Sequence, residues 1–256
     1  MIGFREQGQG TPVMLLHGIS SGAASWHKQM ALPGCRMMAW DMPGYGDVPP
    51  LAVAQPDAGD YADALALKLD SAGVWQTVLV GHSLGALIAS AFAARYPQRV
   101  RRMVLAAPAQ GYGRAEPAQR AQVWQMRQAQ MARGGEAMAQ ARAAKLLHPN
   151  ARDNDIATVA AGMRRLHAAG YLAASWMLAH DDIHRWLAEY RGDFEVWCGE
   201  QDAITPPELA HGLALRYGMP WRPVPLAGHA AYLDNDIFFN QLLSGTVEGA
   251  VHAGTH

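Results

Sequence analysis

Cysteine is scarce in this chain. The 256 residues hold two, Cys35 and Cys198, far apart and in no CxxC arrangement. That leaves neither a disulfide framework nor a thiol redox motif. Both are read as reduced, partly buried thiols, and a cytoplasmic location is expected. An excess of charge of one sign is missing too: Lys and Arg number 21, Asp and Glu 22, for a formal net charge of −1. A surface built for nucleic acid or an anionic membrane would need a basic excess. No uninterrupted apolar run approaches the roughly 20 residues of a membrane span. The start, Met1-Ile2-Gly3-Phe4-Arg5-Glu6, lacks the basic segment and apolar stretch of a secretory leader. HExxH, a Cys/His cluster with zinc spacing and GxGxxG are all absent, so neither a metal nor an organic cofactor is expected.

What is present is apolar. Half of the residues are hydrophobic, and a chain of this length can bury a large core without staples. Short apolar runs at 12–17, 36–40, 77–80, 103–106 and 194–198 read as strands, with a weaker, proline-shortened candidate at 223–226. Continuous rather than alternating apolar runs indicate strands covered on both faces, as in a parallel sheet. Helical patterns lie between them at 60–69, 84–95, 206–216 and 236–243, the second followed by Pro97 and the third opened by a proline. Strand alternating with helix gives right-handed βαβ units and an α/β, doubly wound sheet. From 111 to 190 the strand signal stops, and an Ala-, Arg-, Gln- and Met-rich stretch reads as several helices. Eighty residues of structureless loop would be improbable in a compact domain. The expected organisation is a core from 1–110 and 191–243, a helical cap at 111–190, and a loosely held Gly- and Ala-rich tail at 244–256.

The sharpest chemical signal is Gly81-His82-Ser83-Leu84-Gly85. It follows the strand at 77–80 and opens a helix at Leu84. A serine there sits on a tight, strained turn with its hydroxyl projecting above the sheet, and the flanking glycines leave room for neighbouring backbone. Serine alone is a poor nucleophile and needs a base. His229, in Leu226-Ala-Gly-His229, follows the last predicted strand. The base needs an acceptor for its second ring N–H, and Asp202, in Gly199-Glu-Gln-Asp202, follows the strand at 194–198. Taken alone, His229 reads as a solvated loop residue and Asp202 as a turn aspartate; the order Ser83, Asp202, His229 is what joins them to the serine.

With these motifs the chain resembles the α/β-hydrolase superfamily over nearly all of its length except the cap. His17-Gly18, with Trp26 downstream, resembles the oxyanion loop. Asp41-Met-Pro-Gly-Tyr-Gly46 resembles the D-x-x-G-x-G turn after the next strand. The resemblance implies a mostly parallel sheet, here of about seven strands because only Ile2–Gln7 precedes Gly8-Gln9-Gly10. It implies Ser83 as nucleophile, His229 as base and Asp202 as acid. It also implies an oxyanion hole made from the backbone N–H groups of Ile19 and Leu84. His17 is read as structural, and His82 as packing against the sheet. In the cap, Trp124, Tyr171, Trp176 and Met177 either line an apolar pocket or form the cap's own core. Cap arginines such as Arg164 and Arg165 either meet a substrate carboxylate or lie on solvated faces.

The implied activity is hydrolysis of a small carboxylic ester or lactone through an acyl-enzyme, by a monomer or homodimer. The stretch at 164–182 loosely resembles enol-lactonase-like caps. An alternative is C–C bond hydrolysis of ring-cleavage products of aromatic degradation, although relatives of that kind place a tryptophan after the histidine where this chain has Ala230-Ala231-Tyr232. Dehalogenases and epoxide hydrolases use aspartate at the position of Ser83. Hydroxynitrile lyases add a cap lysine, and Lys145 is the one candidate. A non-catalytic receptor with a relic triad is the remaining class.

Overall fold

The computed structural model describes residues 2–253. Seven strands, β1 (Phe4–Gln7), β2 (Thr11–Leu16), β3 (Cys35–Trp40), β4 (Thr77–His82), β5 (Val100–Ala106), β6 (Phe194–Gly199) and β7 (Trp221–Val224), form one sheet in the order β1-β3-β2-β4-β5-β6-β7. Only the edge strand β1 runs antiparallel, pairing Phe4 with Trp40 and Gln7 with Met37. The other neighbours are parallel.

The apolar runs divide by the pleat, because successive side chains of a strand face opposite sides. In β2, Met14 and Leu16 enter one core while Val13 and Leu15 enter the other; in β4, Leu79 enters the first and Val78 and Val80 the second. The interior strands therefore need a cover on both faces. The first face is covered by α1 (Ala58–Ser71), α2 (Leu84–Arg95) and α8 (Pro207–Tyr217). The second is covered largely by α9 (Ala231–Asp234) and α10 (Asp236–Ala253). α1 starts on a reciprocal capping box in which the Asp57 carboxylate takes the Asp60 N–H and Asp60 returns the bond. α2 is apolar all round, with residues 84–93 buried, as expected of a helix enclosed between sheet and neighbours.

Between β5 and β6 the described residues contain helices and loops without a strand: α3 (Pro117–Ala132), α4 (Gly134–Arg142), α5 (Asp153–Arg164), α6 (Ala168–His180) and α7 (Ile183–Leu187). α7 docks on α2, burying Ile183, Trp186 and Leu187 in the first core. The others lie nearer the loops at the carboxyl ends of the strands.

One expectation is corrected. The stretch from 244 onward is helix, not a loose tail: α10 runs without a break from Asp236 to Ala253, and residues 254–256 lie outside the described part. Leu243, Val247 and Ala250 are buried at helical spacing on the second core, and Thr246 bonds both Leu242 O and Glu195 Oε1. Packing of this stripe outweighs the roughly 1 kcal/mol that each of Gly245 and Gly249 costs a helix.

Candidate active site

The centre of the sheet carries a strained residue. Ser83 joins β4 to α2 at φ 53° and ψ −116°, a backbone region that side-chain-bearing residues avoid. Three hydrogen bonds hold it there. Its N–H donates to Ala106 O at 2.9 Å, and its carbonyl accepts from Ala86 N–H and Ala109 N–H at 3.0 and 3.2 Å. The glycines explain themselves by contact: a Cβ on Gly81 would lie 2.4 Å from Gly85 O, and one on Gly85 would lie 2.4 Å from Leu16 O. Both obstacles are backbone, so relief would need the elbow or β2 to move. Gly85→Ala is therefore expected to cost about 1–3 kcal/mol, read as a lower urea midpoint at unchanged slope.

Asp202 and His229 come from loops after β6 and β7. The Asp202 side chain is fully buried, and its acceptor capacity is well used. Oδ1 takes the N–H groups of Ile204 and Thr205 at 2.8 and 2.9 Å. Oδ2 faces His229 Nδ1 at 2.9 Å and the Thr205 hydroxyl at 2.8 Å. Burial by itself raises the carboxyl pKa; the His229 bond and charge and the two backbone bonds overcome it and bring it down to about 2. The Cys198 thiol also points at Oδ2, 3.5 Å away. Burial and that carboxylate push the thiol far above the ordinary range, so it stays protonated and unreactive. Glu200, two residues before Asp202, is exposed.

With Nδ1 bound to a carboxylate, the His229 ring keeps Nε2 for a proton from elsewhere. His82 fixes the loop that holds it: His82 Nε2 donates to His229 O at 2.8 Å. His82 itself is held neutral, its pKa driven to about 3 by burial and then by the neighbouring His229. Asp234 Oδ2 ties the same loop to the helical segment, accepting from Gly228 N–H and His148 N–H at 2.8 Å each. Tyr232 stacks on Trp26 at 4.1 Å beneath it.

The loop after β2 is braced by the Asp41–Gly46 turn. Asp41 Oδ1 accepts from Ala23 N–H, the Tyr45 hydroxyl donates to Ile19 O, and Met42 N–H donates to His17 Nε2. His17 Nδ1 in turn bonds Gly18 O, so both of its nitrogens are occupied by structural bonds. Gly18 lets this loop pass close to the elbow, since a Cβ there would sit 3.2 Å from the Ser83 Cβ. Among the described residues, the N–H groups of Ile19 and Leu84 donate to no other group. Leu84 is the first residue of α2, where N–H groups lack intrahelical acceptors.

Ser83, His229, Ile19 and Leu84 border one cavity of about 290 Å³. The helical segment contributes Arg127, Arg142, Leu146, Val159 and Leu178 to its lining. None of the four cap residues expected there does so. Tyr171 and Met177 are fully buried in the two cores. Trp124 meets Trp176 edge-on at 5.5 Å, and Trp176 stacks on His180 at 3.6 Å. Their apolar character admitted either lining or cap core, and the docking of α3 and α6 turns these residues toward helix neighbours. Arg164 pairs with Glu136 on the surface, and Arg165 is exposed. Sequence reasoning missed Thr205 and the two lining arginines. Thr205 sits three residues after Asp202, where a turn aspartate takes backbone bonds. Among the described residues, no group of three or more His, Cys, Asp or Glu could hold a metal ion, and no helix is long and apolar enough to cross a membrane.

Comparison with known proteins agrees with this architecture. The family model described as alpha/beta hydrolase fold matches residues 11–236. A 2-hydroxymuconate semialdehyde hydrolase from Pseudomonas sp. (strain CF600) is 37% identical over 105 residues, which is 39% of this chain and 37% of that protein. The chain thus matches little more than a third of that relative's length. Among solved structures, a thermophilic esterase from Thermogutta terrifontis superposes with a TM-score of 0.84 at 22% identity, covering 96% of this chain and 93% of the other. The enol-lactonase from Burkholderia xenovorans LB400 gives 0.83 at 17% identity, covering 96% and 95%.

Proposed function

The chain belongs to the α/β-hydrolase fold family, and from that membership we propose that it is a serine hydrolase cleaving carboxylic esters or lactones through an acyl-enzyme. The observation that carries the reading is the buried Asp202–His229 bond of 2.9 Å together with a serine held at positive φ, Ser83 and His229 both lining one cavity. His229 Nε2 takes the Ser83 proton as Oγ attacks the carbonyl carbon, and Asp202 stabilises the imidazolium that forms. The N–H groups of Ile19 and Leu84 receive the oxyanion, aided by the positive end of the α2 dipole. The imidazolium returns its proton to the departing alcohol; for a lactone that alcohol stays tethered to the acyl group. Water then repeats the sequence on the acyl-enzyme and frees the acid. The helical segment between β5 and β6 serves as the cap that shapes the acyl pocket.

A limited cavity predicts selectivity by size. 4-Nitrophenyl acetate and butyrate should be cleaved with higher kcat/KM than the palmitate, and activity on emulsified triolein should not jump at the interface. A rate on triolein that rises sharply above its solubility limit would overturn this pocket assignment. The Pseudomonas relative favours a second reading, C–C hydrolysis of a ring-cleavage product, which shares Ser83 and His229. Parallel assays on a vinylogous 1,5-diketo acid and on the aryl esters distinguish the two.

A further inference from the structure

Two cations face the cavity with no anion paired to them among the described residues. Arg127 comes from α3 and Arg142 from the last turn of α4, and both line the cavity that holds Ser83 and His229. Neither forms an ion pair among the described residues, whereas Arg114, Arg152 and Arg164 of the same helical segment each meet a carboxylate. Arg127 touches neutral groups only: its Nη1 lies 3.3 Å from the Tyr171 hydroxyl and 3.4 Å from Gln130 Oε1. Tyr171 itself donates to Gln130 Oε1 at 3.1 Å, so a small neutral network fixes the guanidinium. Arg142 makes no hydrogen bond among the described residues. The Nε atoms of both side chains are buried without a partner among the described residues. Burial, and then the charge of Arg127, lower the Arg142 pKa. Folded proteins pair or solvate such charges, because desolvating a cation without a partner is costly. Two like charges turned toward one cavity create a field that an anion relieves, and guanidinium forks match a carboxylate in geometry.

We propose that Arg127 and Arg142 clamp a free carboxylate on the acyl side of the substrate, so that the enzyme acts on half-esters of dicarboxylic acids or on carboxylate-bearing lactones. This rests on the serine-hydrolase reading of the same cavity and adds the substrate class. Ser83 and the oxyanion donors engage the scissile carbonyl, while the cap arginines hold the other end of the molecule. Binding energy from that remote contact then positions the carbonyl for attack. A carboxylate is favoured over a phosphate because the site's own reaction takes esters of carboxylic acids and yields the acids, and a dicarboxylic half-ester supplies the second anion without a further group.

The test compares mono(4-nitrophenyl) esters of glutarate, adipate and suberate with their neutral methyl-capped counterparts. The wild type should favour at least one half-ester over its capped partner by about 10²-fold in kcat/KM, the size expected for charge-assisted bonds lost on capping. Arg142→Met and Arg127→Met, verified as folded by thermal melting, should each reduce that ratio by about tenfold or more. Arg142→Lys should recover part of it. Calorimetry on Ser83→Ala reads the clamp without turnover: adipate should bind, and adding Arg142→Met should weaken it at least about tenfold. Equal rates on half-esters and capped esters, with adipate binding unchanged by Arg142→Met, would overturn the clamp and leave the hydrolase reading intact. Tighter binding of inorganic phosphate than of adipate would overturn the carboxylate assignment. No turnover of either ester would instead sink the hydrolase reading, and the calorimetry would still decide the clamp.

Discussion

Ser83→Ala is expected to lower kcat on 4-nitrophenyl butyrate by at least about 10⁴-fold while the protein stays folded, since removing the nucleophile leaves only the oxyanion donors and binding to act. The fold should tolerate the change because Ser83 is 7% exposed and its backbone, not its hydroxyl, makes the bonds that set the turn. Stability should therefore move by no more than about 0.5 kcal/mol. A second substitution separates chemistry from strain. Alanine keeps the cost of holding a Cβ at φ 53°; glycine removes it. Ser83→Gly should be inactive too, yet more stable than Ser83→Ala by between zero and about 2 kcal/mol, once glycine's greater unfolded entropy offsets part of the relief. A fluorophosphonate should add one adduct, at Ser83, seen by peptide mass spectrometry of the wild type. Near wild-type turnover by Ser83→Ala, or an adduct elsewhere with Ser83 unmodified, would end the proposal.

The reason such a residue could be found in the sequence lies in backbone geometry. A turn that places Ser83 above the sheet needs glycine at 81 and 85, where a Cβ would lie 2.4 Å from a neighbouring backbone oxygen, so the constraint is written locally as residue type. The same holds for His17-Gly18 and Asp41–Gly46, whose bonds to one another fix the loop carrying Ile19. The strand cores were legible because β2, β3, β4 and β5 are buried on both faces, and no alternation masks their apolar runs. The cavity's cap lining was not legible for the opposite reason. Which face of α3 or α4 meets the cavity is decided by docking between helices remote in sequence. Of the two readings open for Trp124, Tyr171, Trp176 and Met177, lining or core, the residues take the second and pack helix against helix. A better signal was present: Arg127 follows buried Val123 by four residues, and Arg142 follows buried Met138 by four. A charge on the buried stripe of a helix asks for a partner, and here the cavity is where it points. The tail failed in a similar way, since Gly245 and Gly249 spoke for disorder while the stripe at Leu243, Val247 and Ala250 depended on a core that only the folded sheet creates.

Asp202→Asn is the second large effect, and the structure gives its direction atom by atom. Oδ1 accepts two backbone N–H groups, from Ile204 and Thr205, so an asparagine must present its carbonyl oxygen there. Its amide nitrogen then falls where Oδ2 was, facing His229 Nδ1 and the Thr205 hydroxyl. A donor against Nδ1 selects the tautomer protonated on Nε2, which cannot take a proton from Ser83. A comparable change in a serine protease triad costs about 10⁴ in kcat, and a loss of at least about 10²-fold is expected here. The same substitution should alter the acid limb of stability. The Asp202 pKa falls on folding from the ordinary 3.8 to about 2, so its ionised form contributes about 2 kcal/mol that is full above pH 4 and lost as pH drops toward 2. Asp202→Asn should lack that portion of the slope of unfolding free energy between pH 4 and 2. Glu200 follows the same strand and is the natural control. It is exposed, and a screened loop carboxylate should matter little, so Glu200→Gln should cost less than about tenfold in kcat. If Glu200→Gln proves the crippled variant and Asp202→Asn keeps both its rate and its acid slope, the acid has been assigned to the wrong carboxylate.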